Sequence, residues 1–242
     1  MSDLAPALVI VPTYQERENI GEVIDRLFAA AGEHVHLLVI DDRSPDGTAE
    51  AARRAARAVG RTEVVERSHK QGLASAYVAG FRWALERDYA AVVEMDADLS
   101  HDPGVVPELL SALARGADLV IGSRYVAGGR TENWGLLRRL LSQAGNLYAR
   151  MWMGWSVRDA TGGFRAYRSA TLASQDLSTV RSEGYAFQIE MTARVHFGGG
   201  RITEVPITFT ERRAGKSKMS GAVVIEALWR VPLWALKNRW RS

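Results

Sequence analysis

Alternation is the feature that most constrains this chain. In the first half of its 242 residues, short apolar runs take turns with longer stretches of helical spacing. Ala7–Val11, Val35–Ile40, Thr62–Glu66, Ala91–Met95 and Asp118–Ile121 are strand-like. Glu16–Ala31, Asp46–Val59, Gly72–Arg87 and Gly104–Arg115 lie between them with helical spacing. Nearly unbroken apolar runs suit strands buried on both faces, and intervening helices suit parallel βαβ crossovers. The expectation is an α/β fold, a mostly parallel sheet flanked by helices. Such sheets bind ligands beyond the carboxyl ends of their strands. Three of those ends carry acids or polar turns here: Pro12-Thr13-Tyr14, Asp41-Asp42 and Asp96-Ala97-Asp98.

The second half is less regular. Gly128-Gly129 and the residues up to Trp134 read as a mobile loop. Leu136–Trp152 and Phe187–His196 have helical spacing. Thr161–Tyr167 joins Gly162-Gly163 to a strand-like piece, and Arg201–Thr210 alternates as a single strand. Glu211–Ser220 is polar and basic, so a loop is expected. Gly221–Trp240 reads as an amphipathic helix that Pro232 should kink or break. The expected division is one domain over 1–220, then a C-terminal amphipathic helix over 221–242.

Hydrophobic residues make up 47% and charged residues 24%, which excludes a collagen, a low-complexity chain and a disordered acidic tail. With no cysteine, disulfides, thiolate zinc sites and cysteine nucleophiles are excluded. Of 31 basic residues only Lys70, Lys216, Lys218 and Lys237 are lysines. The rest are arginines, whose planar fork matches phosphate. A net charge of +3, without a basic-aromatic RNA motif, argues against a nucleic-acid partner. No run reaches the roughly 18 uninterrupted apolar residues of a spanning helix.

Two carboxylates at Asp96 and Asp98, where a strand ends, can converge on one hard cation if the chain turns there. Mg²⁺ prefers oxygen ligands and typically takes one or two carboxylates plus substrate phosphate oxygens. The alternative is two solvated loop acids. Asp41-Asp42 can accept hydrogen bonds from a base or ribose, or can precede a helix capped at Ser44 or Asp46. Pro12 to Asn19 lacks the glycines of a dinucleotide turn or a P-loop. Glu16 there reads equally as a first-turn helix acid. Arg212-Arg213-Ala214-Gly215-Lys216-Ser217-Lys218 is either a phosphate-binding loop or a solvated basic turn. Arg138-Arg139 is a phosphate candidate or an exposed helix face.

Taken in order, several segments resemble glycosyltransferase family 2: Val9-Ile10-Val11-Pro12-Thr13-Tyr14-Gln15-Glu16-Arg17-Glu18-Asn19, Asp41-Asp42-Arg43-Ser44-Pro45-Asp46-Gly47-Thr48, Lys70-Gln71-Gly72-Leu73 and Asp96-Ala97-Asp98-Leu99-Ser100-His101. Later segments narrow the resemblance to polyprenyl-phosphate mannose synthases of the dolichol-phosphate type. These are Gly122-Ser123-Arg124-Tyr125, Thr161-Gly162-Gly163-Phe164-Arg165, Glu183-Gly184-Tyr185, and Phe209 to Arg212 with Gly215, Ser217 and Lys218. The resemblance implies a GT-A fold. It implies that Pro12, Tyr14 and Glu16 contact guanosine, that Asp42 lies near the nucleotide, and that Asp96, Ala97 and Asp98 form the metal-diphosphate turn holding Mg²⁺ or Mn²⁺. Arg124, Arg212 and Lys218 would bind donor and acceptor phosphates, with Arg138, Arg139 and Ser217 nearest the acceptor phosphate. Ser100 replaces a longer Gln of many relatives, so it would join the metal shell only through water.

The implied reaction is inverting transfer of mannose from GDP-mannose to a polyprenyl monophosphate. Two alternatives stand: transfer of glucose from UDP-glucose to the same acceptor, and a catalytically silent nucleotide-binding, membrane-associated module. A phosphate monoester has a second pKa of roughly 6 and needs no strong base, so His101 reads as structural or as a support behind the residues that touch the ligand. Trp229, Trp234, Arg230 and Arg241 suit a helix lying in a lipid interface. A lipid acceptor then implies a peripheral enzyme on the cytoplasmic face of the cell membrane, anchored alone, by a partner protein or by a fused domain.

Overall fold

The structure is a computed structural model that describes residues 4–57, 59–211 and 228–236. The first half alternates as expected: β1 (Ala7–Thr13), α1 (Ile20–Ala30), β2 (Val35–Asp41), α2 (Thr48–Ala56), β3 (Thr62–Glu66), α3 (Leu73–Leu85), β4 (Ala91–Glu94), α4 (Val106–Ala114) and β5 (Leu119–Ser123). Then follow β6 (Arg130–Glu132), α5 (Leu136–Met153), β7 (Arg165–Arg168), α6 (Ser169–Ala173), α7 (Gly184–Phe197), β8 (Ile202–Pro206) and β9 (Thr208–Thr210). The main sheet has strand order β3-β2-β1-β4-β7-β5-β8. Only β7 runs antiparallel to its neighbours, β4 and β5. This mixed sheet between helical layers is the GT-A-like, Rossmann-like arrangement.

The apolar runs behave as two-faced strands. In β1, Val9 and Val11 join a core layer with Val23, Leu27 and Leu109. Leu8 and Ile10, one residue out of phase, join the other layer with Tyr77, Phe81 and Phe187. The strand period of two sends neighbours to opposite faces. Helix α3 approaches β1 closely at Gly80, where an added Cβ would lie 2.6 Å from Ile10 Cδ1 and 2.8 Å from its Cγ2. Isoleucine is stiff at χ1 and cannot swing away cheaply. Gly80→Ala should therefore destabilise the protein by about 1–3 kcal/mol despite alanine's better helix propensity. A denaturant midpoint at or above wild type would contradict that packing.

Three expectations change. The region expected to be a mobile loop up to Trp134 contains β6, which pairs in parallel with β9 in a separate two-stranded sheet. The single strand expected over Arg201–Thr210 divides at Ile207. Pro206 pairs with Ser123 at the end of the main ladder. Ile207 then donates its N–H to Ser123 O at 3.0 Å and accepts from Arg130 N–H at 3.0 Å, which hands the chain to the second sheet. Finally, Pro232 does not break the C-terminal helix, since residues 228–236 are helical throughout. A proline at this position cannot donate to the carbonyl four residues earlier. That carbonyl, Leu228 O, accepts instead from Tyr148 Oη at 2.9 Å. Val231 and Ala235 of this segment are buried in the same core layer as Tyr77 and Phe187.

Candidate active site

The carboxyl ends of β1, β2 and β4 open on one cleft of about 350 Å³. Pro12, Tyr14, Glu16, Asp42, Asp96, Ala97, Asp98, Arg124 and Arg138 all line it, as the sequence anticipates. Three of the five non-glycine residues with positive φ among those described, Gln15 (61°), Arg43 (57°) and Leu99 (59°), sit in the loops after these strands. Strained backbone of this kind persists where the surroundings over-determine it, often at functional sites.

The loop after β2 shows why. Asp41 is fully buried and accepts from Thr13 Oγ1 (2.8 Å), Ser44 N (2.7 Å) and Ser44 Oγ (2.6 Å), so it locks the turn. Asp42 faces the cleft, ion-pairs with Arg67 and accepts the N–H groups of Gln71 (3.1 Å) and Gly72 (3.3 Å). It thereby fixes the loop over residues 67–72. Gly72 in that loop has φ 96°, a conformation suited to glycine, and a Cβ there would meet Glu183 Oε2 at 3.0 Å. Lys70 lies over the Tyr14 ring at 3.7 Å, a cation–π contact joining two walls of the cleft. Glu16 precedes α1, whose N-cap is Asn19, and accepts from Asn19 Nδ2 at 2.8 Å. The first-turn reading of Glu16 is therefore corrected.

After β4 the turn brings both Asp96 and Asp98 to the cleft. Tyr77 Oη donates to Asp96 Oδ1 at 3.3 Å. Burial and the neighbouring Asp96 and Glu94 carboxylates raise the Tyr77 pKa well above its ordinary value, so the donor proton stays in place. Asp98 Oδ1 accepts from Ser100 N at 3.1 Å. Two hard carboxylates fit Mg²⁺ or Mn²⁺ when phosphate oxygens complete the shell. Among the described residues no group of three or more His, Cys, Asp or Glu side chains converges for a metal. Ser100 is 2% exposed and does not line the cleft, and its Oγ has no partner among the described residues. His101 is stacked on Phe164 at 5.0 Å and edge-on to Phe209 at 5.3 Å. Burial lowers its pKa, and Nδ1 receives the Asp96 N–H at 3.3 Å. It lines the cleft as a buried ring held in this aromatic stack.

Arg124 sits less freely than the sequence suggests. Its Nε and Nη2 grip Asp159 at 2.7 and 2.6 Å, and Nη2 also donates to Thr161 Oγ1 at 2.8 Å. Burial alone would depress its pKa, but the Asp159 charge more than offsets this and raises it. Burial likewise acts to raise Asp159, and Arg124 holds it below the usual carboxylate range. Tyr125, Trp134 and Phe209 rings surround the guanidinium at 5.2–5.5 Å. Arg138 lines the cleft, lies over Trp134 at 4.2 Å and ion-pairs with Glu211. Arg139 is exposed and is not brought to the cleft. Arg212, Ser217 and Lys218 lie outside the described residues.

Sequence reasoning missed Asp159, Trp134 and Gln188 as site residues, and noticed the buried Arg165 only within a resembling segment. Arg165 donates to Gly162 O (2.7 Å), Ala160 O (2.7 Å), Gln188 O (2.7 Å) and Thr192 Oγ1 (2.8 Å), tying the 160–162 turn to α7 beneath the cleft. The Glu183-Gly184-Tyr185 turn, noticed only as a resemblance, also lines the cleft.

Known proteins resemble this chain in sequence and fold. The profile described as Glycosyl transferase family 2 matches residues 8–173. A "Polyprenol monophosphomannose synthase" of Mycolicibacterium smegmatis is 49% identical over 96% of this chain and 88% of its own length. An "Undecaprenyl-phosphate mannosyltransferase" of Micrococcus luteus is 50% identical over 97% of this chain and 96% of its own length. Glucosyl-3-phosphoglycerate synthase from Mycobacterium tuberculosis, solved with Mn²⁺, uridine-diphosphate and phosphoglyceric acid, shares the fold. Its TM-score is 0.72 at 22% identity, over 94% of this chain and 78% of that one. A cleft at the strand ends, an Asp-Ala-Asp turn within it and kinship over nearly the whole length lead to one conclusion: the chain belongs to glycosyl transferase family 2.

Proposed function

We propose that this protein transfers mannose from GDP-mannose to a polyprenyl monophosphate, with inversion, giving polyprenyl-phosphate mannose and GDP. The observation that carries this reading is near-full-length identity of about half to relatives named as a polyprenol monophosphomannose synthase and an undecaprenyl-phosphate mannosyltransferase.

The residues suit the chemistry. Asp96 and Asp98 would hold Mg²⁺ or Mn²⁺, which supplies positive charge to the leaving diphosphate. Tyr14, with Lys70 over its ring, and Pro12 and Glu16 form the wall for the nucleoside. Arg124, kept charged by Asp159, and Arg138 give the cleft fixed positive charge where phosphates gather. The acceptor phosphate attacks as an anion, so no side chain has to take its proton. His101, stacked on Phe164 with its pKa lowered by burial, has no acid–base task here.

The acceptor's lipid tail calls for a bilayer. Helix α5 exposes Leu136, Leu137, Leu140, Leu141 and Met151, and the 228–236 segment beside it exposes Trp229 and Leu233. The Tyr148–Leu228 hydrogen bond joins the two helices. Arg138, in the first turn of α5, lines the cleft, so one helix links the apolar face to the site. Among the described residues no helix is long and apolar enough to cross a membrane. We therefore assign the protein a peripheral seat on the cytoplasmic leaflet, where the apolar face enters the headgroup boundary. Leu137→Glu with Met151→Glu should cut partition onto phosphatidylglycerol vesicles more than tenfold in a flotation assay, from the loss of roughly 1.5–3 kcal/mol per buried apolar side chain. Unchanged flotation would contradict this face.

Transfer itself is tested by supplying GDP-mannose and UDP-glucose separately with a short polyprenyl phosphate. Mannosylated lipid from the first donor alone is the expected outcome. Glucosylated lipid from the second alone would reassign the donor.

A further inference from the structure

The mechanism leaves one buried acid without a task. Glu94 is fully buried on β4, two residues before Asp96. Its Oε2 accepts from Gln188 Nε2 at 2.8 Å. Gln188 stands on α7, is 3% exposed and lines the cleft. An amide can flip, presenting either its NH₂ or its oxygen to a given neighbour. In this structure the NH₂ is spent on Glu94 Oε2, which sets the amide's orientation. Arg165 holds the same residue from behind, donating to Gln188 O at 2.7 Å. The side chain is thus clamped with its NH₂ on Glu94, and its Oε1 is a buried acceptor without a partner among the described residues.

Buried polar atoms are nearly always paired, so an orphan in a cleft wall points to a donor that arrives with the ligand. Its place narrows which part of the ligand that is. A Cβ added to Gly163 would lie 3.7 Å from Asp96 Oδ2 and 3.8 Å from Gln188 Nε2. The clamped amide and the proposed metal carboxylate therefore border the same small space. Several other polar groups of the cleft are committed to the protein: Thr13 Oγ1 to Asp41, Asp42 to Arg67 and the 71–72 backbone, and Arg124 to Asp159. In a nucleotide sugar, the group next to the metal-bound diphosphate is the hexose, whose hydroxyls are donors.

We propose that Gln188 Oε1 accepts a hydrogen bond from a hydroxyl of the donor's hexose, and that Glu94 is the positioning residue that holds the amide in that orientation. This rests on the nucleotide-sugar reading above. It adds a sugar-recognising element beneath the metal turn and gives the buried Glu94 a function.

The test compares GDP with GDP-mannose, because only the latter carries the hexose. Binding of each by calorimetry, with Mg²⁺ present, and steady-state kcat/KM are measured for wild type, Gln188→Leu and Glu94→Gln. A Glu94→Leu/Gln188→Leu double variant removes both partners of this hydrogen bond together, which guards against a folding failure of the single change. Gln188→Leu and the double variant should lose roughly 10–100-fold in kcat/KM for GDP-mannose while GDP affinity stays within about twofold. Glu94→Gln, whose amide lets Gln188 sit either way round, should fall between them and wild type. Variants with wild-type kcat/KM would overturn the inference. So would an equal loss of GDP and GDP-mannose binding, which marks a merely structural role. Wild-type protein that binds GDP but never uses GDP-mannose would overturn the donor reading itself, and the inference with it.

Discussion

Asp98→Ala is expected to lower mannosyl transfer at least about a thousandfold, equivalent to roughly 4 kcal/mol of transition-state stabilisation. The argument runs from position to charge. Asp98 and Asp96 reach the same cleft from one turn, and that turn is held by Leu99 in the left-handed region at φ 59°. Two anionic substrates must meet there, and the leaving GDP carries still more negative charge. Removing one of two carboxylates from the cation site removes most of the compensation. Asp98 is buried but stands in a turn outside the sheet ladder, so the fold should survive its replacement. A circular dichroism spectrum and melting temperature near wild type, together with lost turnover, identify a site defect. Ser100→Ala is the contrasting variant: it should keep at least about a third of the activity, since Ser100 stands off the cleft wall. Asp98→Ala with wild-type turnover would remove the metal role proposed for this turn.

The second large effect is on stability. Asp159→Leu should cost about 3–5 kcal/mol, which for a domain of this size lowers the melting temperature by roughly 10 °C. Asp159 and Arg124 are both buried, and the pair is bidentate. Taking away the acid leaves a guanidinium buried among Tyr125, Trp134 and Phe209 without its counter-charge. The pH dependence has a definite sign. Burial acts to raise the Asp159 pKa, but Arg124 lowers it on balance. The contribution is therefore whole above the ordinary carboxylate value of about 4 and fades as pH falls through the depressed one. The gap between wild type and variant should narrow in acid. A variant melting within about 2 °C of wild type at neutral pH would show that the pair does not hold Arg124 in place.

Much of this site was legible because it hangs on strand ends. The apolar runs of β1, β2 and β4 are plain in the sequence, and Tyr14, Asp42, Asp96 and Asp98 follow from where they stop. What stayed hidden depends on long-range pairing. Nothing in four residues of β7 announces that they enter the sheet in reverse between β4 and β5. Asp159 lies 35 residues from the arginine it holds, and no period links them. Helix α7 is buried almost all round, so its apolar pattern has no polar face to mark which side Gln188 occupies. The division at Ile207 follows from Pro206 and from the edge that β6 offers, and only the first of these is visible in sequence. Arg138 was found by its charge, but its pairing with Glu211 was not.

The most direct measurement is transfer itself. Purified protein is incubated with Mg²⁺ or Mn²⁺, GDP-mannose and a short polyprenyl phosphate, and the lipid is weighed by mass spectrometry before and after EDTA. The account predicts a lipid heavier by one hexose residue that forms only with the metal present and does not form from UDP-glucose. Folded, metal-supplied protein that yields no mannosylated lipid would contradict it.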